Sequence, residues 1–103
     1  MNTRQYPDRT VVTVAGELDL TTCPVLGEAT LVIPLGGRTL HLDLSGVTFM
    51  DSSGLNLMLQ LRRRLLAEGG QVVVGGLHPR VEHVLRLTET YELLTADPLG
   101  KAA

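Results

Sequence analysis

Three aliphatic stretches of strand character alternate with three stretches of helical character along this chain, and glycine or proline marks most of the junctions. That order limits the fold more than any single residue does. "TVVTVAG", Thr10 to Gly16, is rich in β-branched residues, and "RTLHLDLSG", Arg38 to Gly46, alternates Leu40, Leu42 and Leu44 with His41, Asp43 and Ser45. Both read as strands. "QVVVGG", Gln71 to Gly76, is a continuous valine run bounded by glycines, which suits a strand covered on both faces. The residues before Thr10 are expected to add a weak edge strand, with Pro7 and Asp8 at its turn.

The first helix is expected to take Thr21 or Thr22 as N-cap, Pro24 in its first turn, and Val25, Leu26, Ala29, Val32 and Ile33 as its apolar stripe. Pro34 and the pair Gly36-Gly37 would end it. A second helix starts at "DSSG", Asp51 to Gly54, runs to Glu68 and stops at Gly69-Gly70. Leu55, Met58, Leu59, Leu65 and Leu66 form its apolar side, opposite Asn56, Gln60, Arg63 and Ala67. A third begins in "HPRVEHVLRL", with His78 as cap, Pro79 at the first helical position and Val81, Val84 and Leu85 facing inward, and ends near Thr88. Strand and helix in strict alternation build a small α/β domain with a central sheet and right-handed crossovers. The 103 residues suffice for one domain, with a core over about 10–94 and a frayed tail over 95–103.

Composition removes several functions. Trp is absent and there are only two Tyr and one Phe, so the core is aliphatic and little is available to stack on nucleic acid bases. A net charge of −2 gives no general attraction to phosphate backbones or anionic lipid. Cys23 is the single cysteine, and the longest apolar-looking segment, Leu55 to Leu66, is broken by Gln60 and by Arg62, Arg63 and Arg64. The reading is a cytoplasmic protein with no disulfide and no membrane span.

The segment "TFMDSSGLNLM", Thr48 to Met58, carries the chemistry. Asp51, Ser52 and Ser53 arrive where a helix begins, and its free N–H groups and positive dipole end favour an oxygen or a negative charge. One of the three suffices as a cap. At least one hydroxyl is therefore left over, at a place where a phosphate would be held by the helix end without refolding the segment.

"AGELDL" (Ala15–Leu20), "LHLDLSGVTFMDSSGLNLML" (Leu40–Leu59) and "GGQVVVGGLHPRVEHVLRLTETYELL" (Gly69–Leu94) together resemble the STAS-domain anti-sigma factor antagonists of bacteria. The resemblance spans roughly Val11 to Leu94. It implies a central mixed sheet of four to five strands with three or more helices packed mainly on one face. It also implies a role: the unphosphorylated protein binds an anti-sigma factor, a serine kinase of the histidine-kinase-like ATPase fold, and so frees a sigma factor. Phosphorylation of the serine after the Asp of DSSG, Ser52 here, would block binding, and a serine phosphatase would restore it. By position, Ser53 would cap the helix, while Asp19, Thr21, Thr22, Asp51, Ser52, Ser53, Gly54, Leu55 and Asn56 would make the partner-binding patch, with Asp19 serving equally well as a strand-end turn residue. Many relatives have Gly where this chain has Asn56, a difference expected to tune partner choice. Many also continue into another helix beyond the position of Leu94, so one flank of the sheet is expected to be less covered, in a monomer or weak dimer.

Other clusters carry less. His41, His78 and His83 have no carboxylate or cysteine at ligand spacing, which argues against a metal site, and the resemblance implies no cofactor. Cys23 reads as packing. Arg62, Arg63 and Arg64 point in three directions along a helix and make no single basic patch, and no G-x-S-x-G elbow or placed base supports Ser/His/Asp catalysis. A STAS module that binds a nucleotide or another small ligand, or that serves a transport or signalling complex, is the alternative to the switch.

Overall fold

The computed structural model describes residues 2–31 and 38–96. Four strands, β1 (Asn2–Gln5), β2 (Arg9–Leu18), β3 (Thr39–Met50) and β4 (Gln71–Gly75), lie in the spatial order β1-β2-β3-β4. β1 is antiparallel to β2, joined to it by a tight turn in which Tyr6 N–H donates to Arg9 C=O at 2.8 Å. β2, β3 and β4 run parallel, linked by α1 (Cys23–Leu31) and α2 (Ser52–Ala67). α3 (Pro79–Leu87) and α4 (Tyr91–Thr95) follow the last strand.

Register decides where the core sits. Thr10, Leu40 and Val72 stand abreast, as do Val12, Leu42 and Val74, and all six are buried. The apolar members of these rows join Leu26 of α1, Met58 and Leu65 of α2, Val81 and Leu85 of α3 and Leu94 of α4 in one cluster, so the four helices gather on this face. The mixed four-stranded sheet with helices on one face is the α/β arrangement that the family resemblance implies.

Helix phase departs from the expected stripes. α1 buries Cys23, Leu26 and Thr30, a spacing of three and four, which turns Val25 outward at 69% exposure. Thr30 tolerates burial because its hydroxyl donates to Gly27 C=O at 2.8 Å. Val32, Ile33, Pro34, Gly36 and Gly37 lie outside the described residues. In α2 the buried stripe is Gly54, Leu55, Met58, Leu61 and Leu65; Leu59 is only half-buried and Leu66 is exposed. Asn56, Gln60, Arg63 and Ala67 form the outer side as expected. α3 begins as the sequence predicts, with Pro79 in its first turn and the His78 ring accepting from Arg80 N–H at 3.2 Å.

Two features exceed the sequence reading. β3 does not stop at Gly46 but continues to Met50 beside Ala15–Leu18, past the end of β4, with an extra β3 residue at each of two register shifts, between Asp43 and Gly46 and between Val47 and Phe49. α4 was not expected, since five residues are too few to show a helical period. It lies against β4 and buries Leu94 completely, while Leu66 and Leu93 beside it stay exposed. Thr95, the first residue of the expected frayed tail, belongs to α4 and donates its hydroxyl to Tyr91 C=O at 2.7 Å; residues 97–103 lie outside the described residues.

If α4 is part of the cooperative fold, Leu94→Ala should lower stability by about 3 kcal/mol, the usual cost of a large-to-small change in a closed core. Urea unfolding would show it, and a change below about 1 kcal/mol would mean that α4 contributes little.

Candidate functional site

The two strands that outrun β4 deliver both halves of the site to one end of the molecule. β2 ends at Leu18 and opens into the loop Asp19–Thr22; β3 ends at Met50 and passes through Asp51 into α2. Asp51 N–H donates to Leu18 C=O at 3.2 Å, which ties the two exits together.

Asp51 is the N-cap of α2. Its backbone is extended, and its Oδ1 accepts from Ser53 N–H at 2.8 Å while its C=O accepts from Gly54 N–H and Leu55 N–H. This corrects the expectation that Ser53 holds the helix: a carboxylate one residue before the helix reaches the N–H groups of its first turn, and Ser53 contributes only its backbone. Neither serine hydroxyl makes a hydrogen bond among the described residues, and Ser52 is exposed at the first helical position, with Ser53 half-buried behind it.

Asp19 organises the facing loop. Its Oδ1 accepts from Thr21 N–H at 2.9 Å, Thr22 N–H at 3.0 Å and the Thr21 hydroxyl at 2.9 Å. The Thr22 hydroxyl in turn accepts from Asp19 N–H and donates to Glu17 C=O at 2.6 Å. The turn reading of Asp19 is therefore realised, and Thr21 and Thr22 serve the turn through their own N–H groups before α1 begins at Cys23. These donors, Thr22 N–H foremost and then the Thr21 hydroxyl, hold the Asp19 carboxyl below its ordinary value. Cys23 lies under both loops: burial pushes its thiol up, and the charges of Asp51 and Asp19 push it further. It is packing rather than a nucleophile.

The nine residues expected to make the patch thus separate. Asp19, Thr21, Thr22, Asp51, Ser52, Ser53 and Asn56 lie on or near the surface. Gly54 and Leu55 do not, because they belong to the buried stripe of α2. A Cβ at Gly54 would stand 2.5 Å from Met50 Cγ and 3.0 Å from Leu18 Cβ, so this glycine seats the helix on the strand ends. The sequence reading missed the apolar rim nearby: Leu20 is 79% exposed and Phe49 42%. The signal was present for Leu20, a large apolar residue between polar Asp19 and Thr21 just after a strand end. Among the described residues no three His, Cys, Asp or Glu side chains are placed to hold a metal, and no helix is long and apolar enough to cross a membrane.

The fold agrees with that of known proteins. The family model described as "Mlab, STAS domain" matches residues 1–95. The chain belongs to the STAS-domain family. This STAS domain is 26% identical to the anti-sigma-B factor antagonist of Bacillus subtilis (strain 168) over 94 residues, which cover 91% of this chain and 86% of that protein. With the anti-sigma-B factor antagonist of Listeria monocytogenes serovar 1/2a (strain ATCC BAA-679 / EGD-e) the identity is 31% over 88 residues, covering 84% and 77%. The solved structure of the anti-sigma factor antagonist SpoIIAA in its unphosphorylated form superposes with a TM-score of 0.76 at 24% identity, covering 93% of this chain and 85% of that one, and shares the fold. The relatives that this STAS domain matches are named as anti-sigma-B factor antagonists, regulatory binding proteins rather than enzymes.

The two cap assignments can be separated by mutation. Asp51→Ala should destabilise the fold by about 1 kcal/mol, whereas Ser53→Ala should stay within about 0.5 kcal/mol of wild type; equal losses in denaturant unfolding would refute the assignment. In an NMR titration the Asp19 carboxyl should titrate below an ordinary aspartate. Because its folded value is depressed, the stability it contributes is present above the unfolded-state value and is lost as pH falls through the folded one.

Proposed function

We propose that this protein is an anti-sigma factor antagonist whose binding is switched off by phosphorylation of Ser52. The observation that carries the reading is the free, exposed hydroxyl of Ser52 at the first position of a sixteen-residue helix whose cap is already supplied by Asp51. A phosphate there asks nothing of the fold, because the cap bond to Ser53 N–H stays in place and the helix dipole favours the added charge.

The surface around Ser52 supplies the reason for release. Asp51 precedes it directly, and the Asp19 loop is joined to the same strand ends. Phosphorylation adds about −1.5 to −2 charge to this acidic ground, and a partner without a cation at that spot meets both repulsion and a desolvation cost. A loss of only about 2.7 kcal/mol weakens binding roughly a hundredfold, so repulsion alone suffices. The partner in this reading is an anti-sigma factor with serine kinase activity, of the histidine-kinase-like ATPase fold, with a serine phosphatase resetting the cycle in the cytoplasm. Asp19, Thr21, Thr22, Asp51, Ser52, Ser53 and Asn56 form the surface it touches, while Gly54 and Leu55 support that surface from below. The relatives named as anti-sigma-B factor antagonists support the role, and the exposed Ser52 supports the switch.

The test uses purified protein and the ATPase-type anti-sigma factor encoded in the same genome. Phosphopeptide mapping after incubation with ATP is expected to place the modification on Ser52, and Ser52→Ala is expected to remain unmodified. Ser52→Asp should bind the anti-sigma factor about a hundredfold more weakly than wild type in calorimetry. Undiminished phosphorylation of Ser52→Ala, or wild-type affinity of Ser52→Asp, would sink the reading.

A further inference from the structure

The switch accounts for Ser52 and the loop beside it, but not for the groove that begins there. Between α1 and α2 lies an open groove of 590 Å³, entered at Ser53 and Asn56 and extending to Arg64. Its α2 wall consists of Ser53, Asn56, Leu57, Gln60, Leu61 and Arg64, the spacing of a single helical stripe. Eleven steps of 1.5 Å rise from Ser53 to Arg64 make that wall about 16 Å long, three turns of helix.

The opposite wall, on the α1 side, is open and apolar apart from Glu28 and Thr30. Leu20 and Leu31, which line the two ends on the α1 side, are 79% and 67% exposed. At mid-length stands Gly27, where a Cβ would meet Leu57 Cδ1 at 3.5 Å; the missing side chain keeps the groove from being filled from within. Exposed leucines along one continuous groove mark a surface that another molecule covers.

Charge narrows the choice. Arg64 is already engaged, donating to Thr30 C=O at 3.1 Å and facing Glu68 at 3.7 Å. Glu28, also in the groove, makes no ion pair among the described residues, so the charge left for a visitor is negative.

We propose that this groove receives an amphipathic helix of the same partner that reads Ser52, with aliphatic side chains spaced three and four residues apart and a Lys or Arg facing Glu28. The proposal rests on the switch reading above: Ser53 and Asn56 belong both to the Ser52 surface and to the mouth of the groove, and that continuity assigns the groove to that partner. A helix fits because both walls are helices with satisfied backbones, which offer no strand edge, and because three turns match the usual run of anchors in helix-in-groove recognition. Asn56 then gains a role. It stands four residues after Ser52 and three after Ser53, so its free amide bridges the switch and the groove, and the same partner meets it in passing from one to the other.

The experiment measures affinity for the anti-sigma factor used in the Ser52 assay. Gly27→Phe fills the groove at mid-length and should weaken binding at least about 30-fold, with the circular dichroism spectrum unchanged. Leu31→Glu, at the end of the groove away from Ser52, should cost about tenfold, and Glu28→Lys a similar amount with the salt dependence reduced. Leu31 and Glu28 are exposed, so these two variants decide the matter if Gly27→Phe fails to fold. If Ser52→Asp loses binding while Leu31→Glu and Glu28→Lys keep wild-type affinity, the groove proposal is overturned and the switch stands. Wild-type affinity of Ser52→Asp would overturn both. Should sedimentation show a wild-type dimer that Leu31→Glu breaks, the groove belongs to a second copy of this chain and the proposal is wrong.

Discussion

The start of α2 is held where there is no spare room. Gly54 rests on Met50 and Leu18, the last residues of two adjacent parallel strands, at a distance where even a methyl group would collide. That seat requires β2 and β3 to end together, and they do so because Leu18 pairs with Met50 while Asp51 N–H closes on Leu18 C=O. Everything at this end of the molecule follows from it. The helix axis, the direction of its free N–H groups and the outward position of Ser52 are all consequences of a glycine lying flat on two strand ends.

The division of labour within DSSG is then one of reach. The Asp51 side chain precedes the helix and folds back onto its first turn; Ser53 is too far into the turn for its hydroxyl to do the same; Ser52 points away. A carboxylate cap also keeps a negative charge permanently beside Ser52, so the unmodified protein presents one charge there and the modified one about three. The Asp19 loop repeats the economy on the other side, with one carboxylate oxygen receiving three donors and stiffening the turn that faces the switch. Both acidic side chains are spent on backbone order, and their charge remains as a by-product that the proposed switch uses.

What the sequence conveyed well were features governed by local rules. Pro79 with His78 before it, the glycine stop after Glu68, and the alternation of Leu40, Leu42 and Leu44 each depend on neighbours within a few residues, and each is found in place. Errors cluster where a distant surface chooses between local options. Val25 is as good a core residue as Leu26, and only the phase imposed by Cys23 and Thr30 turns it outward. Leu61 displaces Leu59 and Leu66 for the same reason. α4 escaped notice because its single buried anchor, Leu94, has no period to announce it.

By itself, then, the sequence determined the α/β order, the aliphatic core and the presence of a cap-rich segment with a surplus hydroxyl, since these depend on composition and on contacts close along the chain. The family resemblance pointed to Ser52 in particular. The tertiary structure decided that Asp51 and not Ser53 is the cap, that Gly54 and Leu55 lie beneath the surface instead of on it, and that a groove between α1 and α2 opens at Asn56. Those outcomes depend on how far two strands run past a third and how closely one helix approaches another. Such distances arise only when the whole sheet has been assembled, and no short stretch of residues contains them.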